Sequence, residues 1–349
     1  MATAKGETGS GQGSEPKVRV PGDTSSGLTL RRLQVFWAVA NLSSLTRASK
    51  QLGLAQPSVS QQIASLEEIV GSKLFDRRSN TLELTEAGRH LLRHVEKVLE
   101  SMQVLEDGLA AITDGSRQTV HLAGLNSILR VLLPSAMQSL HAEFPRIDYE
   151  IHESAPAEVL EMLYARRINL GLISTNAIAP ASAGFQQVPI CADPYVLAVP
   201  DTLDLSGVED PDRGLSSEQG AVLRSTIQFA FGTQHAKRVQ AWYNAVLPGN
   251  WPLAQARSFE VALGMVQAGL GVCLAPAMSC VVGGEPVRGV RLYSVDYPSR
   301  NVVALLPKHY LRQEPYASLV RALETAGAAY APPRTEPTPP FLNMPPEVR

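Results

Sequence analysis

The sequence predicts an α/β protein in three parts: a small helical module closed by a β-hairpin, one long linker helix, and a larger body of alternating strands and helices. Three observations predict it. Apolar residues recur at helical spacing from Leu28 to Leu66 and at heptad spacing from Leu91 to Ile112, and from Thr119 the texture changes to short apolar strand runs between helical stretches. At 349 residues the chain is long enough for two or three domains, each with its own core.

The two ends contribute little to this pattern. Residues 1–27 are rich in Gly, Ser and Thr with almost no large apolar side chain, and residues 331–349 hold seven prolines. Both are expected to be disordered tails that bury too little to offset their ordering entropy. There is no signal-peptide core and no run of about 18 uncharged apolar residues, so neither export nor a membrane span is expected. Three widely spaced cysteines, Cys191, Cys273 and Cys280, make neither a disulfide framework nor a zinc set and fit a reducing cytoplasm.

Each element has a local cause. Thr29 caps a first helix whose core stripe is Leu33, Phe36, Trp37 and Ala40. Ser44 opens a second, with Ala48 and Leu52 inward, and Gly53 stops it. Gln56-Pro57 opens a third, because proline suits the first helical turn where its missing N–H has no partner to lose. Val59, Ile63, Leu66 and Val70 face inward there, while Ser58, Gln61, Gln62 and Ser65 repeat the same spacing on the other side. A purely solvated face would more often carry Lys and Glu.

Leu74-Phe75 and Leu82-x-Leu84 flank Arg77-Arg78-Ser79-Asn80, a hairpin with a basic tip. Thr85 caps a helix running to about Thr113, in which Leu91, Val95, Val98, Met102, Leu105, Leu109 and Ile112 form a heptad seam. Such a seam needs a partner, in another copy of the chain or in its own body. Beyond it, strands over 120–125, 149–152 and 170–173 alternate with helices ending near residues 144 and 166, which predicts a mostly parallel sheet covered on both faces. Ligands of such sheets lie beyond the carboxyl ends of the strands.

The near-neutral total, 31 basic against 33 acidic residues, is an average over unlike parts. Residues 28–95 carry nine basic and five acidic side chains, a net +4, the tail before them balances, and the remainder carries −6. Attraction for phosphate is therefore local to the helical module.

Several fixed spacings in this module carry a resemblance. Ser44-Leu-Thr-Arg-Ala-Ser49, Gln56-Pro-Ser-Val-Ser60-Gln-Gln-Ile63, Leu66-Glu67, Gly71, Leu74-Phe75-x-Arg77 and Leu84-Thr85-x-Ala87-Gly88 together resemble the winged helix-turn-helix of LysR-type transcriptional regulators. Leu132-Leu133-Pro134, Phe144-Pro145 and Val266-Gln-Ala-Gly269-Leu-Gly271-Val-Cys-Leu-Ala-Pro276 resemble the effector-binding domain of that family, so the likeness covers about residues 28–330.

The resemblance implies a DNA-binding domain over 28–84, a linker and dimerisation helix over 85–114, and an effector-binding domain over 119–330. That last domain would have a periplasmic-binding-protein-like fold of two α/β subdomains, 119–188 with 293–330 and 189–292, joined by crossing strands near 187–191 and 290–294. It places the third helix in the major groove, with Thr46, Arg47, Gln56, Pro57, Ser58, Ser60 and Gln61 at the DNA and Arg77 and Arg78 of the wing on the backbone. The effector would meet Asn126, Ser127 and Ser154 from one subdomain and Thr233, Gln234 and Ser258 from the other, with Ser258 also capping the helix that leads to Gly269. Because several of these sit at helix N-termini, an acidic small molecule is expected. The implied partners are double-stranded DNA, the effector, further copies in a homodimer or homotetramer, and RNA polymerase if the protein activates; no cofactor or metal is implied.

Four residues depart from the family pattern. Gln61 and Asn80 stand where relatives often have basic residues, which removes phosphate contacts and predicts a shallower salt dependence of DNA binding. Asn169 replaces a common aspartate and Pro156 a frequent polar effector contact. Other features have plainer readings. His90 and His94 lack a third ligand, Cys273 reads as a core residue, and Gly269-x-Gly271 reads as a packing turn. An enzyme built on the body would need a nucleophile elbow, metal cluster or phosphate loop, and the sequence has none; a transport-type solute-binding protein would lack the basic module.

Overall fold

Thr29 accepts a hydrogen bond from the Arg32 amide and so begins α1 (Leu30–Leu42), which ends at Ser43 in the left-handed region. The structure, a computed structural model, describes residues 27–78, 81–113, 118–175, 185–229 and 233–343. The side chains of Arg77, Arg78, Thr233 and Gln234 lie outside that description, as do Asn80 and the first tail. The chain divides into two compact units between Val95 and Glu96.

In the first unit α1 is buried more widely than a single stripe: Leu33, Val35, Phe36, Ala38 and Val39 are all inside, and Trp37 and Ala40 fall to the half-buried edge. Ser44 caps α2 (Leu45–Leu52) through the Arg47 amide, and Gly53 ends it at a φ of 63°. α3 (Gln56–Val70) has Pro57 in its first turn and buries Val59, Ile63 and Leu66. Val70, expected inward, is 39% exposed in the last turn, where the helix runs past the core it packs on. β1 (Phe75–Arg78) and β2 (Thr81–Leu84) pair antiparallel with Phe75 opposite Leu84, and the Phe75 ring meets Phe36 at 5.5 Å. Thr85 opens α4 (Glu86–Thr113) by accepting from the Gly88 amide at 2.9 Å. A Cβ on Gly88 would lie 2.2 Å from the Leu74 carbonyl oxygen, so only glycine lets α4 start against the base of the hairpin.

The second unit holds two sheets. In the first, β3 (Gln118–Gly124) lies parallel between β4 (Ile147–Glu153) and β5 (Leu170–Ser174), with α5 (Asn126–Glu143) and α6 (Pro156–Tyr164) as the crossovers. β14 (Arg300–Leu306) then runs antiparallel to β5, and β6 (Gln186–Asp193) antiparallel to β14. The expected mostly parallel sheet is thus mixed, because β14 is reached by a return from the second sheet and not through a helical crossover. α11 (Tyr316–Ala329) packs beside α5 over a core of Leu122, Leu132, Leu172, Ala304, Leu319 and Leu323.

The second sheet orders β10 (Cys273–Pro276), β7 (Tyr195–Pro200) and β13 (Val290–Ser294) antiparallel. Parallel β8 (Ser225–Phe229) and β9 (Trp251–Ala256) join it through a bridge from Thr226 to Val272. α7 (Pro211–Gly214) and α8 (Ser217–Arg224) lead into β8, α9 (Thr233–Val246) and α10 (Phe259–Gln267) cover the sheet, and β11 (Val281–Val282) and β12 (Glu285–Pro286) pair as a short hairpin after β10. Gly271 is the packing turn expected of it, since a Cβ there would lie 2.3 Å from the Ser225 carbonyl oxygen. The two crossings between sheets fall at residues 193–195 and 294–300; segments 187–191 and 290–294, expected to cross, lie within β6 and β13.

The proline-rich end is the larger correction. Through residue 343 it is ordered: Glu336 pairs with β13, Pro339 is buried, and Leu342 is 3% exposed in the second core. Proline counting alone suggests disorder, yet prolines have little backbone entropy left to lose, and the Glu336 backbone bonds together with burial of Pro339 and Leu342 dock the segment. Among the described residues no helix is long and apolar enough to cross a membrane.

Candidate nucleic-acid interface and ligand cleft

In the first unit the start of α3 stands exposed beside the start of α2. Thr46 and Arg47 are exposed on α2, Gln56, Pro57 and Gln61 on α3, and the Thr46 hydroxyl donates to Gln56 Oε1 at 3.3 Å. Ser58 and Ser60 are half-buried at the flanks of this face. The outward ridge of α3 is Pro57, Gln61, Ala64 and Glu68; Gln62 and Ser65, read from spacing as part of it, are half-buried to one side. Arg47 also donates to the Leu42 carbonyl, which steadies its guanidinium near the end of α1.

Glu67 does something that spacing did not disclose. Its carboxylate accepts from Lys73 Nζ at 2.6 Å and from the Leu74 amide at 2.9 Å, so the last turn of α3 holds the root of the hairpin. Burial would push this carboxyl up, but the Lys73 ammonium and the two amides of Leu74 and Phe75 bring it below the usual range. Arg77 and Arg78 lie in β1 as expected of a wing, with their side chains outside the description.

In the second unit a cavity of about 330 Å³ opens between the two sheets, beyond the carboxyl ends of β3 and β4. It brings together Asn126, Ser127, Ser154 and Ser258 of the expected set. Thr233 and Gln234 begin α9, and their side chains lie outside the description. The cavity adds residues the sequence reading missed: Glu153, Glu158, Phe229, Arg257, Phe259 and Glu260. Position at the end of β4 was a signal for Glu153; nothing local marked Phe229, whose ring stacks on Phe259 at 4.2 Å.

Of the helix N-termini there, that of α10 is capped by a side chain, while α5 and α6 begin without one. Glu158 Oε2 accepts from the Ala155 amide at 3.0 Å at the start of α6, and the Ser258 hydroxyl accepts from the Glu260 amide at 3.1 Å at the start of α10. Pro156, in the first turn of α6, offers no donor. Asn126 donates to Glu153 Oε1 at 2.7 Å. Two ion pairs bridge the halves, Arg130 to Glu260 at 3.3 Å and Arg257 to Glu158 at 3.8 Å. The Ser127 hydroxyl accepts from Arg300 Nη2 at 2.8 Å, and Arg300 Nε donates to Asp193 at 2.7 Å. Asn169, the neutral departure, accepts from the His121 amide and donates to the Tyr310 hydroxyl, a structural use that needs no charge.

A model of the bacterial regulatory helix-turn-helix proteins of the lysR family matches residues 30–89, and one of the LysR substrate binding domain matches 113–328. The chain belongs to the LysR family. It is a DNA-binding transcriptional regulator with an effector-binding domain, and no enzyme. This LysR-type chain is 36% identical over 170 residues to the regulator CfxR of Cupriavidus necator, a match spanning 49% of the chain and 52% of CfxR, about half of either. A probable hydrogen peroxide-inducible genes activator of Streptomyces viridosporus is 26% identical over 305 residues, 85% of this regulator and 94% of that protein. Among solved structures, an OxyR mutant of Corynebacterium glutamicum is 20% identical with a TM-score of 0.47, covering 85% of this chain and 91% of that one.

The regulator's remaining sequence features resolve simply. The His90 and His94 rings lie 4.9 Å apart, and among the described residues no group of three metal-ligating side chains occurs. Cys273 and Cys280 are fully buried, and burial pushes the Cys273 thiol up to about 12 and the Cys280 thiol higher still.

Proposed function

We propose that the regulator reads operator DNA with the exposed start of α3, using Gln56, Pro57 and Gln61 flanked by Ser58 and Ser60, while Thr46 and Arg47 of α2 and Arg77 and Arg78 of the wing hold the backbone. The observation that supports this reading is the uncharged, exposed N-terminal face of α3 beside the start of α2, linked through Thr46 and Gln56. Glutamines there suit paired contacts to adenine. Deleting residues 1–85 should abolish binding to the promoter beside its own gene; specific retention of that DNA by the truncated chain would overturn the assignment.

Two copies join through α4, where Val98 is 47% and Leu105 54% exposed on the heptad seam. The working form is a dimer or tetramer in the cytoplasm, meeting RNA polymerase where it activates. The effector is a small molecule in the cleft bounded by Glu153, Ser154, Phe229 and Phe259, and Ser258 acts there as a helix cap. The acidic ligand expected from free helix N-termini keeps only part of its support, since Ser258 caps α10 and the Glu153 and Glu158 carboxylates stand at the starts of α5 and α6. A ligand with hydrogen-bond donors for Glu153 and a flat apolar part for the phenylalanine pair fits better. Benzylamine and benzoate are matched probes: a rise in melting temperature with benzylamine that Glu153→Gln cancels supports this class, and a rise with benzoate alone overturns it.

A further inference from the structure

We propose that residues 331–343 form a strap that sets the angle between the two halves of the effector-binding domain, and that a buried chain of Tyr330, Asp193, Arg300 and Ser127 ties the strap to the wall of the cleft. The strap starts from the first half. α11 lies so close on β6 that a Cβ on Gly327 would sit 2.4 Å from the Ile190 carbonyl oxygen, and its Leu319, Val320 and Leu323 belong to the first core. It ends on the second half. The Glu336 amide donates to the Leu292 carbonyl at 2.7 Å, the Ser294 amide donates to the Glu336 carbonyl at 3.0 Å, and Leu342 is buried beside Tyr293 and Val199.

Residues 330–336 are therefore a third crossing of the chain between the halves, beside those at 193–195 and 294–300, held on the second half by hydrogen bonds and packing. Between its anchors the strap is not packed down: residues 330–334 roof a cavity of about 640 Å³ walled by α5 and the short hairpin at 281–286. A segment fixed at both ends and free along its middle acts as a tether. Between the anchors at Tyr330 and Glu336, Pro332 and Pro333 fix φ at two successive positions, which stiffens this tether against shortening.

The inner anchor sits at both crossings. The Tyr330 hydroxyl donates to Asp193 Oδ1 at 3.1 Å, and Asp193 closes β6 at the first crossing. Arg300 opens β14 at the second crossing, binds Asp193 and reaches Ser127 in the cleft wall. The Met278 amide of the second half also donates to Asp193, at 3.0 Å. Asp193 is 0%, Arg300 3% and Ser127 4% exposed, so no water competes for these bonds. Any opening of the cleft turns about these two crossings and must carry both the network and the strap with it.

Hydrogen exchange on the full-length protein, without ligand or DNA, tests this. A stop after Tyr330, and separately Glu336→Pro, should speed exchange at the crossing segments 193–197 and 277–280 by about tenfold or more while the interiors of α5 and α10 keep their protection. Tyr330→Phe should act on the same segments to a smaller extent. Unchanged exchange at the crossings overturns the strap, as does an equal acceleration everywhere, which would make the segment a general stabiliser. Neither DNA nor effector enters the measurement, so its failure leaves the regulator reading untouched.

Discussion

Replacing Arg300 by methionine strips the guanidinium from a site where it is 3% exposed and leaves Asp193, 0% exposed, with only the Met278 amide, the Tyr330 hydroxyl and no counter-charge. Breaking one side of a buried pair costs about 3–5 kcal/mol, mostly the penalty of the stranded charge. For a domain of this size each kcal/mol moves the melting temperature by about 2–4 °C. The second unit should therefore melt roughly 6–20 °C lower in Arg300→Met. Calorimetry on the full chain is the appropriate assay, because two units need not unfold as one. The deficit also has a pH sign. Burial already pushes the Asp193 carboxyl up, with Arg300 opposing it, so the variant's carboxyl takes a proton more readily still. A carboxyl raised in the folded state stabilises at low pH and loses that contribution as pH rises, so the deficit should be smaller at pH 5 than at pH 8. Adding Asp193→Asn to Arg300→Met should recover much of the loss. A drop of under about 2 °C, or strict additivity in the double variant, would refute the reasoning.

Four other outcomes are expected. Burial first, then Arg238 and Arg300, lowers the His235 imidazole to about 4, so the unfolded chain binds its proton first and stability falls from pH 6.5 toward 4 by about 3 kcal/mol; His235→Gln should flatten the acid limb of the melting curve, and parallel curves would contradict this. Glu67→Gln loses the Lys73 pair and loosens the Leu74 amide, costing about 0.5–1.5 kcal/mol and raising exchange across 74–85, with weaker DNA binding in gel shifts. Ellman's reagent at pH 8 should leave Cys273 untouched until unfolding and reach Cys191, pushed up to about 11 by burial and Asp193, only slowly. Gln61→Arg should steepen the dependence of log affinity on log salt by about 0.9, one phosphate contact, and an unchanged slope would place position 61 away from the backbone.

What the sequence disclosed was local. Caps at Thr29, Ser44 and Thr85, the stop at Gly53, and the hairpin from Phe75 to Leu84 are each decided by a few neighbouring residues, and each stands in the structure where its chemistry puts it. The exposed start of α3 was readable for the same reason. Orientation between strands was not. β14 runs antiparallel because of where the chain returns from, more than 100 residues after β5, and no periodicity in 300–306 records that. Arg300 reads as a surface charge until Asp193 and Ser127 are brought to it across 107 and 173 residues of sequence.

The same distinction explains the cleft. A serine at a helix start looks alike in sequence whether it awaits a ligand or caps the helix itself, and Ser258 caps α10. Counting N-termini therefore overestimates the positive potential offered to an effector, because each terminus already satisfied by a side chain has spent its donors. The proline-rich end was misjudged by a parallel error. Composition measures how little a segment buries, while docking depends on the difference between what it buries and what it loses on ordering, and prolines shrink the second quantity. Burial of Leu342, with Phe341 packed against the same core, then adds to the Glu336 backbone bonds, which makes Leu342→Asp a sharper probe of docking than removal of any single proline.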